Sequence, residues 1–237
     1  MRLVVTRPQP DGDRAAATLR ANGHEVLVAP LMRAEPVAAD LAGAFAGIVI
    51  TSANAPRAIT NHSRIGTFLS LPVFAVGQRS ADAARESGFR DVTSAGGDAR
   101  DVVRLIAARG GNSAAPLLYL AGRDRTADVA GTLATHGVKV HTAVVYRAVA
   151  LPYPPALIEA LDAREVDAVL HFSARSAENY LAGARDAGLL DAALAPRQLC
   201  LSAHVAEPIS AAGTANVSIA VRPDEAALFA LLDAGKG

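Results

Sequence analysis

The sequence predicts an α/β fold of doubly wound parallel sheets, arranged as two domains made to one plan. Three observations carry this. Short β-branched or Leu-rich runs alternate with amphipathic Ala-rich stretches along the whole chain, as in parallel sheets flanked by helices. The runs are apolar throughout rather than alternating, as strands covered on both faces must be. The chain also repeats itself. Residues 3–37 and 117–148 each read as an apolar strand ending at an arginine, an Ala-rich helix, a Gly turn, and a strand running on to a second arginine.

The strands are placed at residues 3–6, 25–29, 47–51, 73–76 and 91–93, each a run of Val, Ile, Leu or Phe bounded by turn residues. The same signal recurs at 117–121, 139–143, 168–172, 199–202 and 217–220. Helices fit between them. Val102, Leu105 and Ile106 share one helical face, Val129 and Leu133 another, and Ala177, Tyr180, Leu181 and Ala184 a third. Gly23, Gly88, Gly137 and Gly213 each close a helix before the next strand.

A second repeat sharpens the domain plan. The stretch 48–107 parallels 168–232, so the chain runs A, B, A, B. If each A were followed by its own B, a boundary would fall near residue 112, in the loop Gly110-Gly111-Asn112-Ser113. The strands ending each A run on, however, through Leu31–Val37 and Val144–Leu151, like crossing connectors rather than surface turns. Crossing connectors, about 31–40 and 144–152, give a discontinuous α/β domain of 1–36 with 149–237 and an inserted α/β domain of 40–143. On the residues alone both cuts stand.

Length and composition set the class. A chain of 237 residues suits two domains of about 100–120 residues, each with its own core. With 51% hydrophobic residues, 19% charged and zero formal net charge, it lacks the positive excess of a nucleic-acid binder. No apolar run reaches a membrane span of about 18 residues, and Met1-Arg2-Leu3-Val4-Val5 leads straight into a strand, so a cytoplasmic protein is expected, with no membrane partner. The single cysteine, Cys200, lies in an apolar run and reads as a buried thiol in a reducing compartment.

Motifs with strong mechanisms are absent: no phosphate loop, no GxGxxG after a strand, no HExxH, no nucleophile elbow. The histidines show no metal-ligand spacing with cysteine, so no protein-ligated metal is expected. The residues just past the strands are more informative, because ligands of open α/β sheets gather at strand carboxyl ends. Those ends read Thr6-Arg7, Thr51-Ser52-Ala53-Asn54, Gly77-Gln78-Arg79-Ser80, Gly122-Arg123-Asp124-Arg125, Ser173-Ala174-Arg175-Ser176, Ser202-Ala203-His204 and Arg222. Arginine forks bind carboxylates, and helix starts leave backbone N–H groups for anions. A ligand with several negative charges is implied. Against this, 21 of the 23 basic residues are arginine, a bias that high-GC coding also produces.

In order and spacing the blocks LVVTRP, IVITSANA, FAVGQRSADAARESGF, LLYLAGRDR, VVYRA and LHFSARSAENYL resemble the uroporphyrinogen-III synthases of tetrapyrrole biosynthesis. The resemblance spans essentially the whole chain. It implies two α/β domains, one discontinuous, joined by a two-stranded connector, which favours the crossing cut. It also implies a lyase acting on hydroxymethylbilane, a flexible linear tetrapyrrole with eight carboxylates, without metal or cofactor. The family reaction expels the terminal hydroxyl as water, attacks ring D through a spiro intermediate, and recloses with ring D inverted. The product feeds haem, sirohaem, cobalamin and chlorophyll. A monomer is implied, and transient contact with hydroxymethylbilane synthase is left open.

By motif, Tyr146 in VVYRA matches the family's tyrosine that assists loss of the hydroxyl; as a residue alone it would equally serve as packing in a connector. Ser52, Ser80 and Ser173 match hydroxyl positions at helix starts, where capping is their alternative role. Arg7, Arg123 and Arg175 are assigned to substrate carboxylates, and Asn54, Gln78, Ser176, Ser202 and His204 complete the expected site. The resemblance breaks at Ser202-Ala203-His204-Val205-Ala206, where the family usually has Gly, often followed by Pro and then Thr or Ser. Either Ser202 and His204 replace the missing donor or the grip there is weaker. That departure motivates an alternative, a catalytically silent polyanion-binding or regulatory module of the same fold. A generic sugar-phosphate or nucleotide enzyme would fit the fold but lacks a phosphate loop.

Overall fold

The computed structural model describes residues 1–109, 114–125 and 127–233. The Gly110-Gly111-Asn112-Ser113 loop, where the simple cut would fall, lies outside the described residues. The chain opens with β1 (Arg2–Val5), α1 (Asp11–Ala21), β2 (Glu25–Val28) and β3 (Met32–Pro36). There follow β4 (Gly47–Ile50), α2 (Asn54–Ala58), α3 (Ile65–Phe68), β5 (Val73–Ala75), α4 (Gln78–Glu86), β6 (Val92–Ser94), α5 (Ala99–Ala108), β7 (Leu117–Gly122), α6 (Val129–Thr135) and β8 (Val140–Ala150). The rest comprises α7 (Pro155–Asp162), β9 (Ala168–His171), α8 (Ala174–Asp186), α9 (Leu190–Leu194), β10 (Arg197–Cys200), α10 (Ala203–Ala211), β11 (Val217–Ile219) and α11 (Glu225–Ala230). Two compact units result, one of Met1–Arg33 with Val149 onward and an inner one of Ala34–Ala148.

The first unit holds a five-stranded sheet in the order β11-β10-β9-β1-β2. Every pair in it is parallel. Its strands are apolar on both faces because helices cover both. Val4, Val169 and Cys200 turn to one face, against Leu157, Tyr180, Leu181 and Ile209 of α7, α8 and α10. Leu3, Val5, Leu170 and Leu199 turn to the other, against Ala15, Ala16 and Leu19 of α1 and Leu228 of α11. Period-2 alternation is thus present in direction though absent from composition.

The inner unit repeats the arrangement. Its sheet runs β3-β8-β7-β4-β5-β6, and the pairs β8–β7, β7–β4, β4–β5 and β5–β6 are parallel. Ile48, Ile50, Leu118 and Leu120 face Ala55, Phe68, Ala81 and Ala84 of α2, α3 and α4. Val49, Phe74, Tyr119 and Ala121 face Val102, Val103 and Ile106 of α5 and Val129 and Leu133 of α6.

One strand is shifted from the sequence reading. The strand expected at 199–202 occupies Arg197–Cys200, because the Ser202 hydroxyl accepts the Val205 N–H and starts α10 instead. The strand placed at 139–143 runs on to Ala150, through the residues read as a connector. Among the described residues no helix is long and apolar enough to cross a membrane.

Candidate active site

In an open parallel sheet the ligand crevice lies beyond the carboxyl ends of the strands where the chain order reverses. In the inner unit that point falls between β4 and β7, since the chain winds outward from β4 through β5 and β6 on one side and returns to β7 and β8 on the other. Thr51 and Ser52 come directly after β4, Gly122 ends β7, and Tyr146 lies on β8 beside it. The register explains how Tyr146 arrives there. Ala121 faces Val144, but Gly122 faces Tyr146, so β8 carries one extra residue at this point. Such a bulge re-aims the side chains beyond it.

The phenol lies directly on Gly122. A Cβ placed on Gly122 would stand 2.7 Å from both Cζ and Oη of Tyr146 and 3.1 Å from Cε2. The Ser52 oxygen accepts the Asn54 backbone N–H at 3.2 Å. Behind them the buried Tyr119 hydroxyl meets Thr51 Oγ1 at 3.0 Å. Burial pushes the Tyr146 pKa above the usual phenol range; the Ser52 hydroxyl works against this, and Tyr119 and Asp124 add to the rise. At neutral pH Tyr146 is therefore a protonated phenol, able to donate a hydrogen bond but not to act as a base.

The other expected residues of the inner unit surround different strand ends. Arg123 is exposed just past β7, and its backbone N–H binds the Tyr146 carbonyl at 2.9 Å. Asn54 is half-buried in the first turn of α2. Gln78 opens α4 and donates through Nε2 to Asp82 Oδ1 at 2.8 Å. Ser80 is buried one turn into the same helix.

In the first unit the hydroxyls hold helix starts. Ser173 Oγ accepts the Ser176 N–H at 3.1 Å and donates to Ser176 Oγ at 2.9 Å. Ser176 is buried, its hydroxyl 3.5 Å from Met32 Sδ. Arg175 is exposed on the same turn. Ser202 caps α10 through the Val205 N–H at 3.4 Å. His204 is exposed, with Nδ1 3.1 Å from Glu207 Oε2.

Arg7 points inward. Its side chain is only 5% exposed, with Nη1 on the Glu225 carboxylate, Nη2 3.8 Å from Asp11 Oδ2, and the guanidinium 4.7 Å above the Phe172 ring centre. This fork ties β1 to the starts of α1 and α11. The sequence rule that an arginine after a strand end points to ligand does not separate an outward fork from an inward one.

Sequence reasoning placed Thr51, Gly122 and Asp124 at strand ends without assigning them to the site, and did not single out Tyr119. Only Gly122 left a signal, as a glycine ending an all-apolar strand that pairs with a longer strand carrying a tyrosine.

The chain matches the family model described as uroporphyrinogen-III synthase HemD over residues 13–230. Among solved structures it is similar to uroporphyrinogen-III synthetase from Helicobacter pylori, at 17% identity over 99% of each chain and a TM-score of 0.68. It is also similar to a mutant uroporphyrinogen III synthase from Thermus thermophilus, at 18% identity over 99% of this chain and 98% of that one, with a TM-score of 0.53. At these identities the two structures speak for the fold alone, the mixed α/β fold with parallel-dominated sheets. No curated protein matches. The family match covers nearly the whole chain, and by it this chain belongs to the uroporphyrinogen-III synthases, lyases of tetrapyrrole biosynthesis.

Proposed function

We propose that Tyr146 is the residue that assists expulsion of the terminal hydroxyl of hydroxymethylbilane in the family's reaction. The observation that carries this reading is the protonated phenol at the switch point of the inner sheet, seated on Gly122. In the reaction the C–O bond breaks and its electron pair leaves with oxygen. The adjoining pyrrole supplies electron density and gives up its N–H proton, so that water and a neutral azafulvene form. A phenol donating to the departing oxygen lowers that barrier without being a strong acid. Attack at the substituted position of ring D, fragmentation of the spiro intermediate and reclosure then need control of geometry more than further proton transfer.

Within the inner unit, Ser52, Asn54, Gln78 and Arg123 are assigned to the substrate, and within the first unit Ser173, Arg175, Ser202 and His204. Arg7, Ser80 and Ser176 are assigned a supporting role, since their side chains face inward. The protein is read as a cytoplasmic monomer. Isomer analysis tests the reading. Freshly generated hydroxymethylbilane is converted, the products are oxidised, and uroporphyrins I and III are separated. A dominant III isomer from the wild type, lost in Tyr146→Phe, is expected. Isomer I alone, at the uncatalysed rate, from folded wild-type protein would overturn it.

A further inference from the structure

We propose that Gly122 is a positioning residue for the reaction: with the extra residue of β8 it forms a seat that turns the Tyr146 ring to the α2–α4 face of the inner sheet and fixes where the phenol oxygen stands. The proposal rests on the catalytic reading of Tyr146 and adds to it what holds the phenol in place.

Strand alternation by itself would send this tyrosine to the other side. Ala143 and Val145 are buried in the cluster under α2, α3 and α4, so Tyr146, as the next residue, would point to the opposite face, toward α5 and α6. The ladder shows how it is brought back. Ala121 faces Val144 but Gly122 faces Tyr146, so Val145 is the extra residue, and the alternation of β8 is reset there. Tyr146 consequently packs against the same cluster as Val145. Gly122 belongs to that face too, in step along β7 with the buried Leu118 and Leu120.

The ring then occupies the place of a side chain at 122. The three atoms nearest to a Cβ on Gly122 all belong to Tyr146, with Cζ and Oη at 2.7 Å and Cε2 at 3.1 Å, whereas ordinary contact begins at 3.4 Å. A methyl group must drive the phenol oxygen from 2.7 Å to at least 3.4 Å, a shift of about 0.7 Å. The backbones on either side are tied, since the Arg123 N–H donates to the Tyr146 carbonyl at 2.9 Å and Arg125 Nη1 to the Gly122 carbonyl at 3.3 Å. The ring, free to turn about its own side-chain bonds, is the part that yields. A displacement of about 1 Å at a reacting group can cost on the order of a hundredfold in rate.

Gly122→Ala on the full chain, alone and combined with Tyr146→Phe, tests the seat through kcat and KM measured separately and through NMR of protein labelled at tyrosine Cζ. The chain has four tyrosines, and the signal lost in Tyr146→Phe is that of Tyr146. Gly122→Ala is expected to lower kcat on the order of a hundredfold with KM unchanged, and to shift the Tyr146 signal while those of Tyr153 and Tyr180 stay in place. In the Tyr146→Phe background, where no hydroxyl remains to be misplaced, the same substitution should leave kcat nearly unchanged. A raised KM with kcat kept, an unmoved Tyr146 signal, or an equal loss of kcat in both backgrounds would overturn the proposal. If Gly122→Ala does not fold, Gly122→Ala combined with Tyr146→Ala, which removes the ring, must fold; its failure would mean that the methyl group meets something other than the ring, and would overturn the seat as well. Full kcat in Tyr146→Phe would remove the catalytic reading and the positioning role with it, whereas an unmoved signal beside an inactive Tyr146→Phe sinks the seat alone.

Discussion

Lowering the pH should weaken the first unit through one residue. His171 ends β9 and is completely buried against the edge of Tyr180, with ring centroids 5.2 Å apart. Its tautomer is fixed by Gln198. The Gln198 amide donates to the carbonyls of Ala193 at 2.9 Å and Pro196 at 3.0 Å, so its oxygen must face the ring, 2.9 Å from His171 Nε2. Nε2 therefore carries the proton, and Nδ1 is a buried nitrogen with no partner among the described residues. A second proton would have to sit on Nδ1, where it finds no acceptor. Burial accordingly drops the pKa from 6.5 to about 4, with Gln198 opposing the fall. The folded state binds fewer protons than the unfolded chain between those values. Stability is complete above pH 6.5 and is lost as pH falls toward 4, by about 1.4 kcal/mol per pH unit and about 3 kcal/mol in all. Against a net stability of about 5–15 kcal/mol this is a large fraction. The neighbours do not share the effect: burial raises the phenols of Tyr153 and Tyr180 and pushes the Cys200 thiol up to about 12, so none changes charge in acid. Urea unfolding of wild type and His171→Gln at about pH 7 and about pH 4.5 measures it, since glutamine keeps a donor toward Gln198 but does not titrate. The wild type should lose about 2–3 kcal/mol more than the variant. Equal losses in both would refute the buried, singly protonated imidazole.

Arg7→Lys should lower the melting temperature while leaving KM unchanged, because one ammonium cannot reproduce a fork that reaches Glu225 and Asp11 and stacks on Phe172; a raised KM at unchanged stability would return Arg7 to the substrate. Gly183→Ala, in α8, would place a methyl group 2.4 Å from Cδ1 of the buried Tyr153 ring, and should cost about 1–3 kcal/mol in denaturant unfolding; a neutral result would mean the ring has room to move. The Cys200 thiol, buried with its pKa up to about 12, should resist a disulfide-exchange reagent at about pH 8 until the chain is unfolded. Rapid labelling of the native protein would contradict its burial.

The sheets were legible because each strand is apolar over its whole length, and that property belongs to the segment itself. Leu3 and Val4 pack on opposite faces, yet both must be hydrophobic, so the sequence reports a covered strand without reporting which face is which. The ends were harder. Whether Leu201 and Ser202 continue β10 or open α10 is decided by the Ser202 hydroxyl finding the Val205 N–H, a competition between two local options close in energy. The extent of β8 was clearer: Val144–Leu151 reads as a strand running on into a connector, and the strand reaches Ala150, with Val145 buried and Arg147 outward on Glu35 at 2.9 Å.

The site divides along the same line between what one segment carries and what two must agree on. Composition treats the four tyrosines as equivalent, and three of them end in internal hydrogen bonds: Tyr119 with Thr51, Tyr153 to the Tyr180 carbonyl, and Tyr180 to the Ala193 carbonyl. A phenol hydrogen-bonded in this way serves the core. Tyr146 differs because β7 ends in a residue without a side chain at the register position where the ring lies. That condition is not visible at residue 146. It is set on the paired strand, so a reading of VVYRA could nominate the tyrosine but only the ladder could show what seats its ring.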